Sequence, residues 1–148
     1  MKKYLNIVNK VHKSPYKLTI VSSGGGTNAI SALLEVPGAS NTILESHIPY
    51  SKESMNSFLN KKPDHYCSLD TCLNMAANAF KKSKQLDTTS KTKNLLGISI
   101  TANLATTYEK KGDHKFFIVV QAYDYTKYLE CYLYKGKRLS LIHISEPT

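Results

Sequence analysis

The sequence predicts an α/β domain with three layers, in which helices cover both faces of a mixed β-sheet. Segments with strand character alternate with segments of helical periodicity over most of the chain. Residues 17–35 combine a strand, a glycine-rich turn and a helix, as in the crossover connections of parallel sheets. Residues 116–123 and 127–134 are two further strand-like segments around a turn at Tyr125, which predicts an antiparallel hairpin.

Helices and strands alternate in the first part of the chain. In order, the predicted elements are a helix over residues 4–13, a strand over 17–22, a helix over 28–35 and a strand over 43–50. The first helix is predicted from apolar side chains that recur at helical spacing between Tyr4 and Val11, and it ends before Pro15. Thr27 or Asn28 can cap the second helix with a side-chain oxygen.

Two capped helices and a strand are predicted next. Ser51 and Ser68 can cap helices that run to Leu59 and to about Lys84. The apolar stripe of the shorter helix consists of Met55, Phe58 and Leu59. The longer helix is expected to bury Leu69, Cys72, Leu73, Ala76 and Phe80. A strand over residues 95–101 then precedes a long loop over 102–114.

Composition restricts the classes of partner. The chain has 148 residues, which suits one domain, and a formal net charge of +9. This charge is almost all lysine, with Arg138 as the single arginine, whereas base reading and bidentate phosphate binding favour arginine. We therefore expect no nucleic-acid partner. Because no apolar run is long enough to span a membrane and no signal-peptide core is present, we expect a cytoplasmic protein without a membrane partner.

The cysteines and histidines do not form a recognisable metal motif. The spacing of Cys67, Cys72 and Cys131 is typical of neither a disulfide framework nor a zinc site, so we expect no metal and no cofactor. Cys67 and Cys72 are interpreted as ordinary half-buried residues. His12 and His65 are interpreted as surface residues.

The last ten residues, LSLIHISEPT at 139–148, allow two interpretations. The alternation of their side chains is compatible with an edge strand. All ten residues also match the translation of a transposase adapter used in sequencing libraries. On that hypothesis the natural domain covers residues 1–138 and is truncated near Arg138, and residues 139–148 are an artefact without function.

The turn between the first predicted strand and its helix is the main candidate for a ligand site. It contains Ser22, Ser23, three consecutive glycines at 24–26, and Thr27. A strand that enters a helix through glycines exposes backbone N–H groups, which with the helix dipole suit a phosphate or carboxylate. The predicted ligand-binding residues are Ser22, Gly24, Gly25, Gly26 and Thr27. The alternative is that the glycines only allow a tight turn.

Three further segments are informative through their spacing, namely Ser22-Ser23-Gly24-Gly25-Gly26, Val36-Pro37-Gly38-Ala39-Ser40 and Pro49-Tyr50-Ser51. At this spacing they resemble the C-terminal domain of the CinA family, and Gly97-Ile98-Ser99-Ile100-Thr101 resembles a later strand of the same family. The three-glycine turn and Gly112-Asp113-His114 are similar to the eukaryotic branch of that family. The similarity extends over residues 5–135. It implies a three-layer fold and, because bacterial members include nicotinamide mononucleotide deamidases, hydrolysis of an amide by an activated serine.

The resemblance places the family serine on Ser23, the tyrosine on Tyr50 and the threonine on Thr101, which are the predicted catalytic residues. The family lysine falls on Met55, and a methionine cannot accept the proton of a serine. Lys52 is three residues earlier on the same predicted helix and is an alternative base. His47 is expected to point away from Tyr50 on a regular strand.

Two functions are therefore predicted. The first is an amidohydrolase that acts on nicotinamide mononucleotide or a related nucleotide. The second is a non-catalytic nucleotide-binding module, followed in the full-length protein by a nucleotidyltransferase-like domain, as the resemblance implies. In both, the partner is a small-molecule nucleotide, and assembly into a homo-oligomer is left open.

Overall fold

The computed structural model describes residues 4–103, 114–133 and 139–145. Its helices are α1 (Leu5–Lys13), α2 (Thr27–Glu35), α3 (Lys52–Leu59) and α4 (Leu69–Leu86). Its strands are β1 (Lys17–Ser23), β2 (Ile43–His47), β3 (Leu95–Asn103), β4 (His114–Gln121), β5 (Thr126–Leu133) and β6 (Leu139–Ser145). Short 3₁₀ turns cover Ala39–Asn41 and Thr92–Asn94.

The strands form one mixed sheet in the order β2-β1-β3-β4-β5-β6. Strand β1 lies between β2 and β3 and runs parallel to both. Strands β3, β4, β5 and β6 are antiparallel in succession. The parallel half arises because helices connect these strands, and the antiparallel half includes the predicted hairpin of β4 and β5. The predicted α/β class with a mixed sheet is confirmed.

Helices pack on both faces of the sheet. On one face, Leu18 and Ile20 of β1 contact Ile30 of α2 in an apolar cluster. On the other face, Val21 packs with side chains of α3 and α4, including Met55 and Met75. Successive strand residues point to opposite faces, so the short segment Leu18–Val21 contributes side chains to the apolar clusters on both faces of the sheet. The two clusters make the domain three layers thick, as predicted.

Helix α4 lies unusually close to β3 because Gly97 has no side chain. A Cβ atom at Gly97 would lie 2.2 Å from the Phe80 nitrogen and 2.4 Å from the Ala76 carbonyl oxygen. The buried residues of α4 are correspondingly small or flexible, namely Thr71, Cys72, Met75, Ala76, Ala79 and Ser83. The predicted stripe is therefore right at Cys72 and Ala76, whereas Leu69, Leu73 and Phe80 are only partly buried.

Most predicted element boundaries agree with the structure, and two differ in a way that matters for the site. The N-cap of α2 is Gly26, with a left-handed backbone (φ 85°), rather than Thr27 or Asn28. Strand β2 ends at His47, so Tyr50 lies in the connection to α3 rather than on the strand. Ser51 caps α3 as predicted, accepting a hydrogen bond from the Ser54 backbone at 3.0 Å.

His12 is buried, so its interpretation as a surface residue is wrong. Its Nδ1 lies 2.6 Å from the Thr42 hydroxyl and its Nε2 lies 2.9 Å from the Leu33 carbonyl oxygen. These two partners satisfy both ring nitrogens, and the imidazole joins α1 to α2 and to the start of β2. His65 is exposed, as expected.

Residues 139–145 form the edge strand β6, which pairs with β5 in antiparallel register. This agrees with the strand interpretation of the segment, and its adapter origin stays a prediction. The predicted loop falls mainly on residues 104–113, which lie outside the described residues, as does Arg138. Among the described residues, no helix is long and apolar enough to cross a membrane.

Candidate functional site

The candidate site lies at the carboxyl ends of β1 and β3, between helices that pack on opposite faces of the sheet. Ser23 ends β1 and is the register partner of Thr101 near the end of β3. From β1 the chain turns to α2 on one face, whereas the helices before β3 pack on the other face. Such a switch point leaves a crevice beyond the carboxyl ends of parallel strands, where open α/β sheets bind ligands.

A pocket of about 430 Å³ occupies this crevice. Its lining comes from the end of β1, the connection into α3, the segment before α4 and the end of β3. The residues are Ser23, Gly24, Tyr50, Ser51, Lys52, Met55, Tyr66, Cys67, Thr101, Ala102 and Asn103. The structure therefore brings together all three predicted catalytic residues, Ser23, Tyr50 and Thr101, together with the alternative base Lys52.

Ser23 is half-buried at the end of β1. In the described part of the chain, its hydroxyl makes no hydrogen bond to a histidine, lysine or carboxylate, the groups that could activate it. A serine hydroxyl is a weak nucleophile without such a base. The pocket thus holds a serine at the family position but no assembled base beside it.

Thr101 is 2% exposed and anchors one wall of the pocket. Its hydroxyl donates to the Tyr66 carbonyl oxygen at 3.3 Å, and the Tyr66 hydroxyl donates to Oδ1 of Asn56 at 2.7 Å. The ammonium of Lys52 lies 5.8 Å from the centre of the Tyr66 ring, within cation–π range. Tyr66 is therefore fixed from three sides, at a position that the sequence patterns did not single out.

Met55 forms the inner end of the pocket and belongs to the core. It is 1% exposed and packs with Val21, Leu59 and Met75. The thioether has neither a proton to give nor the basicity to accept one. The prediction that Met55 serves packing, as part of the stripe of α3, is confirmed.

Tyr50 lies at the mouth of the pocket with 84% of its surface exposed. A large aromatic ring so open to solvent at a pocket rim is available to stack on a flat ligand. His47 lines a different cavity, and its ring packs 5.2 Å from that of Phe58. Strand β2 ends at His47, so the regular strand to Tyr50 on which its predicted orientation depended is not present, and His47 is not among the residues that line the Ser23 pocket.

The glycine turn is shaped by its packing against β3. Gly24 has φ 79°, and a Cβ there would lie 2.1 Å from the Ala102 carbonyl oxygen. A Cβ at Gly26 would lie 2.7 Å from the Ile100 side chain. Ser22 is fully buried and its hydroxyl donates to the Gly25 carbonyl oxygen. Of the five predicted ligand-binding residues, only Gly24 lines the pocket; Ser22, Gly25, Gly26 and Thr27 do not.

Cys67 also lines the pocket and is only partly buried, in contrast to the other two cysteines. Burial raises the pKa of the Cys72 thiol to about 12, although a hydrogen bond between this thiol and the Ser99 hydroxyl acts in the opposite direction. Burial likewise raises the pKa of Cys131. Tyr66, Cys67 and Asn103 were missed because a pocket wall assembled from separate loops leaves no periodic signal in the sequence.

Among the residues that the structure describes, no group of three or more histidine, cysteine, aspartate or glutamate side chains could hold a metal ion. The described lining of the pocket offers hydroxyls, one amide, one ammonium, one thiol, one thioether and two aromatic rings. A cavity lined by these groups in an open α/β domain is a candidate small-molecule site.

Comparison with solved structures finds this fold among proteins of the CinA superfamily. A CinA superfamily protein from Escherichia coli superposes with a TM-score of 0.67 at 12% identity, covering 87% of this chain and 74% of that one. A competence or damage-inducible protein from Enterobacter asburiae gives a TM-score of 0.64 at 17% identity, with coverages of 93% and 79%. Protein CihA from Agrobacterium tumefaciens gives 0.61 at 14%, with 94% and 76%.

These likenesses establish a CinA-like fold, in agreement with the resemblance drawn from the sequence motifs. No protein-family model matches the chain. No curated protein sequence matches it either.

Proposed function

We propose that this chain binds a nucleotide-like small molecule in the Ser23 pocket and holds it without cleaving it. The observation that carries this proposal is the pairing of Ser23 with Thr101 at the switch point of the sheet, beneath an exposed tyrosine. The hydroxyls of Ser23 and Ser51 line the pocket and can contact the sugar or amide of a nucleotide. The Tyr50 ring at its mouth can stack on a base or a nicotinamide ring.

Binding is favoured over hydrolysis by the position of Met55. Amide cleavage by Ser23 needs a group that removes the hydroxyl proton as the C–O bond to the substrate forms. At the position of the family lysine, this chain has a methionine whose side chain is 1% exposed and packed into the core. A nucleotide can still be bound by the remaining hydroxyl, amide and aromatic groups.

The second candidate function is the amidohydrolase that the family resemblance implies. It is favoured by Lys52, which lines the same pocket as Ser23. In that case the neutral Lys52 amine would take the Ser23 proton as the serine oxygen bonds to the amide carbon, and it would pass that proton to the leaving nitrogen, which departs as ammonia. Water would then hydrolyse the acyl-serine to the carboxylic acid and free Ser23. The Lys52 ammonium lies over the Tyr66 ring, and no hydrogen bond between Lys52 and Ser23 is found among the described residues, which argues against the base role.

The two candidates are separated by measuring thermal unfolding and ammonia release with nicotinamide mononucleotide. We expect the nucleotide to raise the melting temperature of the native chain without releasing ammonia. Ser23→Ala should reduce the stabilisation, whereas Ser40→Ala, at an exposed serine in the Ala39–Asn41 turn, should not. Ammonia release that disappears in Ser23→Ala would establish the amidohydrolase. Neither stabilisation nor release would overturn both.

We also infer that the domain acts as one module of a larger protein with a nucleotidyltransferase-like part. The support is the eukaryotic-type motif pattern of the sequence. Reading an uninterrupted transcript beyond the codon for Arg138 tests this inference directly. A His-x-Gly-His type segment downstream would support it, and a stop codon within a few residues would contradict it.

A further inference from the structure

A second cavity, called here the basic lobe, lies beside the Ser23 pocket. Its volume is about 580 Å³, and its described lining residues are Lys52, Lys62, Pro63, Asp64, His65, Tyr66, Cys67, Ser68, Asn103 and Lys115. Four of these, namely Lys52, Tyr66, Cys67 and Asn103, also line the Ser23 pocket. The two cavities therefore adjoin along these four residues and form the two halves of one candidate site.

Three lysines from three separate parts of the chain converge on the basic lobe. Lys52 is the first residue of α3, Lys62 follows that helix, and Lys115 is near the start of β4. Asp64 is the one carboxylate among the described residues that line the lobe. In the described ranges, none of the three ammonium groups is paired with a carboxylate. Among the described residues, lysines therefore outnumber carboxylates in the lining of the lobe.

Two of these lysines are positioned by aromatic rings. The Lys52 ammonium lies 5.8 Å from the Tyr66 ring centre, and the Lys115 ammonium lies 5.9 Å from that of Phe117. Such contacts limit the freedom of long side chains without satisfying their hydrogen-bonding capacity, since an ammonium keeps three N–H donors. The donors remain available for oxygen atoms of a bound anion.

The Ser23 pocket has a different character. Its described lining contains no carboxylate and one lysine, the shared Lys52, and it combines hydroxyls with apolar groups such as Met55 and Ala102. Each half of the site by itself has the volume of a small-molecule pocket, roughly 300–1,000 Å³. A ligand that fills both halves needs an uncharged or weakly polar portion at one end and a strongly anionic portion at the other.

We propose that the ligand carries a pyrophosphate group, which the basic lobe binds through Lys52, Lys62 and Lys115. This inference rests on the proposed function, because it assigns the rest of the nucleotide to the Ser23 pocket. A single phosphate presents oxygens on one phosphorus atom only. A pyrophosphate presents oxygens on two phosphorus atoms, which can accept from ammonium groups that come from three separate parts of the chain. The ligand class is thus a nucleoside diphosphate or a dinucleotide, whose nucleoside portion occupies the Ser23 pocket.

The test is isothermal titration of the full chain with inorganic pyrophosphate and, separately, with inorganic phosphate. We expect pyrophosphate to bind at least about tenfold more tightly, since it offers more oxygen atoms for charge-assisted hydrogen bonds from the three lysines. The double variant Lys62→Gln/Lys115→Gln should weaken pyrophosphate binding by about tenfold or more. The control Lys91→Gln/Lys93→Gln makes the same change in net charge at exposed positions before β3 and should keep the native affinity.

Equal affinities for the two anions, or equal losses in the two double variants, would overturn the proposal and leave only non-specific attraction to a basic chain. Absence of pyrophosphate binding would overturn it as well. Thermal stabilisation by nicotinamide mononucleotide, measured on the same proteins, separates this failure from failure of the proposed function. If the mononucleotide stabilises the native chain and pyrophosphate does not bind, only the assignment of the basic lobe fails.

Discussion

Ser23 and Thr101 are register partners at the carboxyl ends of two adjacent parallel strands, and both line the same pocket. Thr101 is nearly inaccessible, and its hydroxyl is already used to hold the Tyr66 backbone. The two residues therefore have different tasks. Ser23 presents its hydroxyl to the pocket, whereas Thr101 positions the wall opposite.

Replacing Thr101 by valine should loosen that wall. The variant keeps the shape of the side chain but removes the donor to the Tyr66 carbonyl, so we expect a loss of about 1 kcal/mol in the free energy of unfolding. Thr101→Ser keeps the hydroxyl and serves as the control for ligand binding. Urea unfolding at constant m-value provides the measurement. Equal ligand affinities in the two variants would show that the hydroxyl does not position the pocket.

Gly24→Ala should be strongly destabilising. Its φ of 79° is strained for any residue with a side chain, and a Cβ would lie 2.1 Å from the Ala102 carbonyl oxygen. We expect a cost above about 1 kcal/mol in the free energy of unfolding, together with a displaced end of β1. The neighbouring Gly25 has no positive φ, so Gly25→Ala should cost clearly less. Equal costs would contradict the role assigned to the close approach of the two strands.

Met55→Lys, which places a lysine at the family position, should lower the stability of the fold. A charge at this position would replace a side chain that is 1% exposed among Val21, Leu59 and Met75. We expect a loss of about 2–4 kcal/mol in the free energy of unfolding, against less than about 1.5 kcal/mol for Met55→Leu. Denaturant unfolding of both variants checks this. A Met55→Lys protein as stable as Met55→Leu would mean that the position opens into the pocket more than its burial indicates.

The thiols should differ widely in reactivity. Cys67 is partly exposed, whereas Cys72 and Cys131 are buried with raised pKa values, that of Cys72 to about 12. The thiolate is the reactive form, so at pH 8 burial and protonation together protect both buried thiols. Alkylation of the native chain followed by mass spectrometry should find one modified cysteine, Cys67, and three after unfolding. Modification of Cys72 in the folded chain at pH 8 would contradict the packing of α4 on the sheet.

The elements of the fold could largely be predicted from local patterns, because helical spacing, capping serines and the hairpin are properties of neighbouring residues. The burial of His12 could not, since its partner Thr42 is thirty positions away. The packing of α4 directly on the backbone of Gly97 could not be predicted either, nor could the burial of Met75 and Ala79 that accompanies it. Contacts of this kind depend on the tertiary arrangement, which a periodic pattern does not encode.

In the candidate site too, some residues could be predicted from sequence motifs, whereas others depend on the tertiary arrangement. The motifs that resemble the CinA family led to Ser23, Tyr50 and Thr101, and the structure places these three on one pocket. The wall containing Tyr66 and Cys67, and the lysines of the basic lobe, come from loops and strand ends that are distant in sequence. These residues lie close together because of the order of the strands in the sheet, which local sequence patterns do not encode.

Cys67 lines the Ser23 pocket, so its reactivity reports on the nucleotide binding proposed for that pocket. The most direct measurement is the rate at which iodoacetamide modifies Cys67 with and without saturating nicotinamide mononucleotide. We expect the nucleotide to slow the reaction in the native chain and to slow it less in Ser23→Ala. An unchanged rate at every nucleotide concentration would contradict the proposed binding.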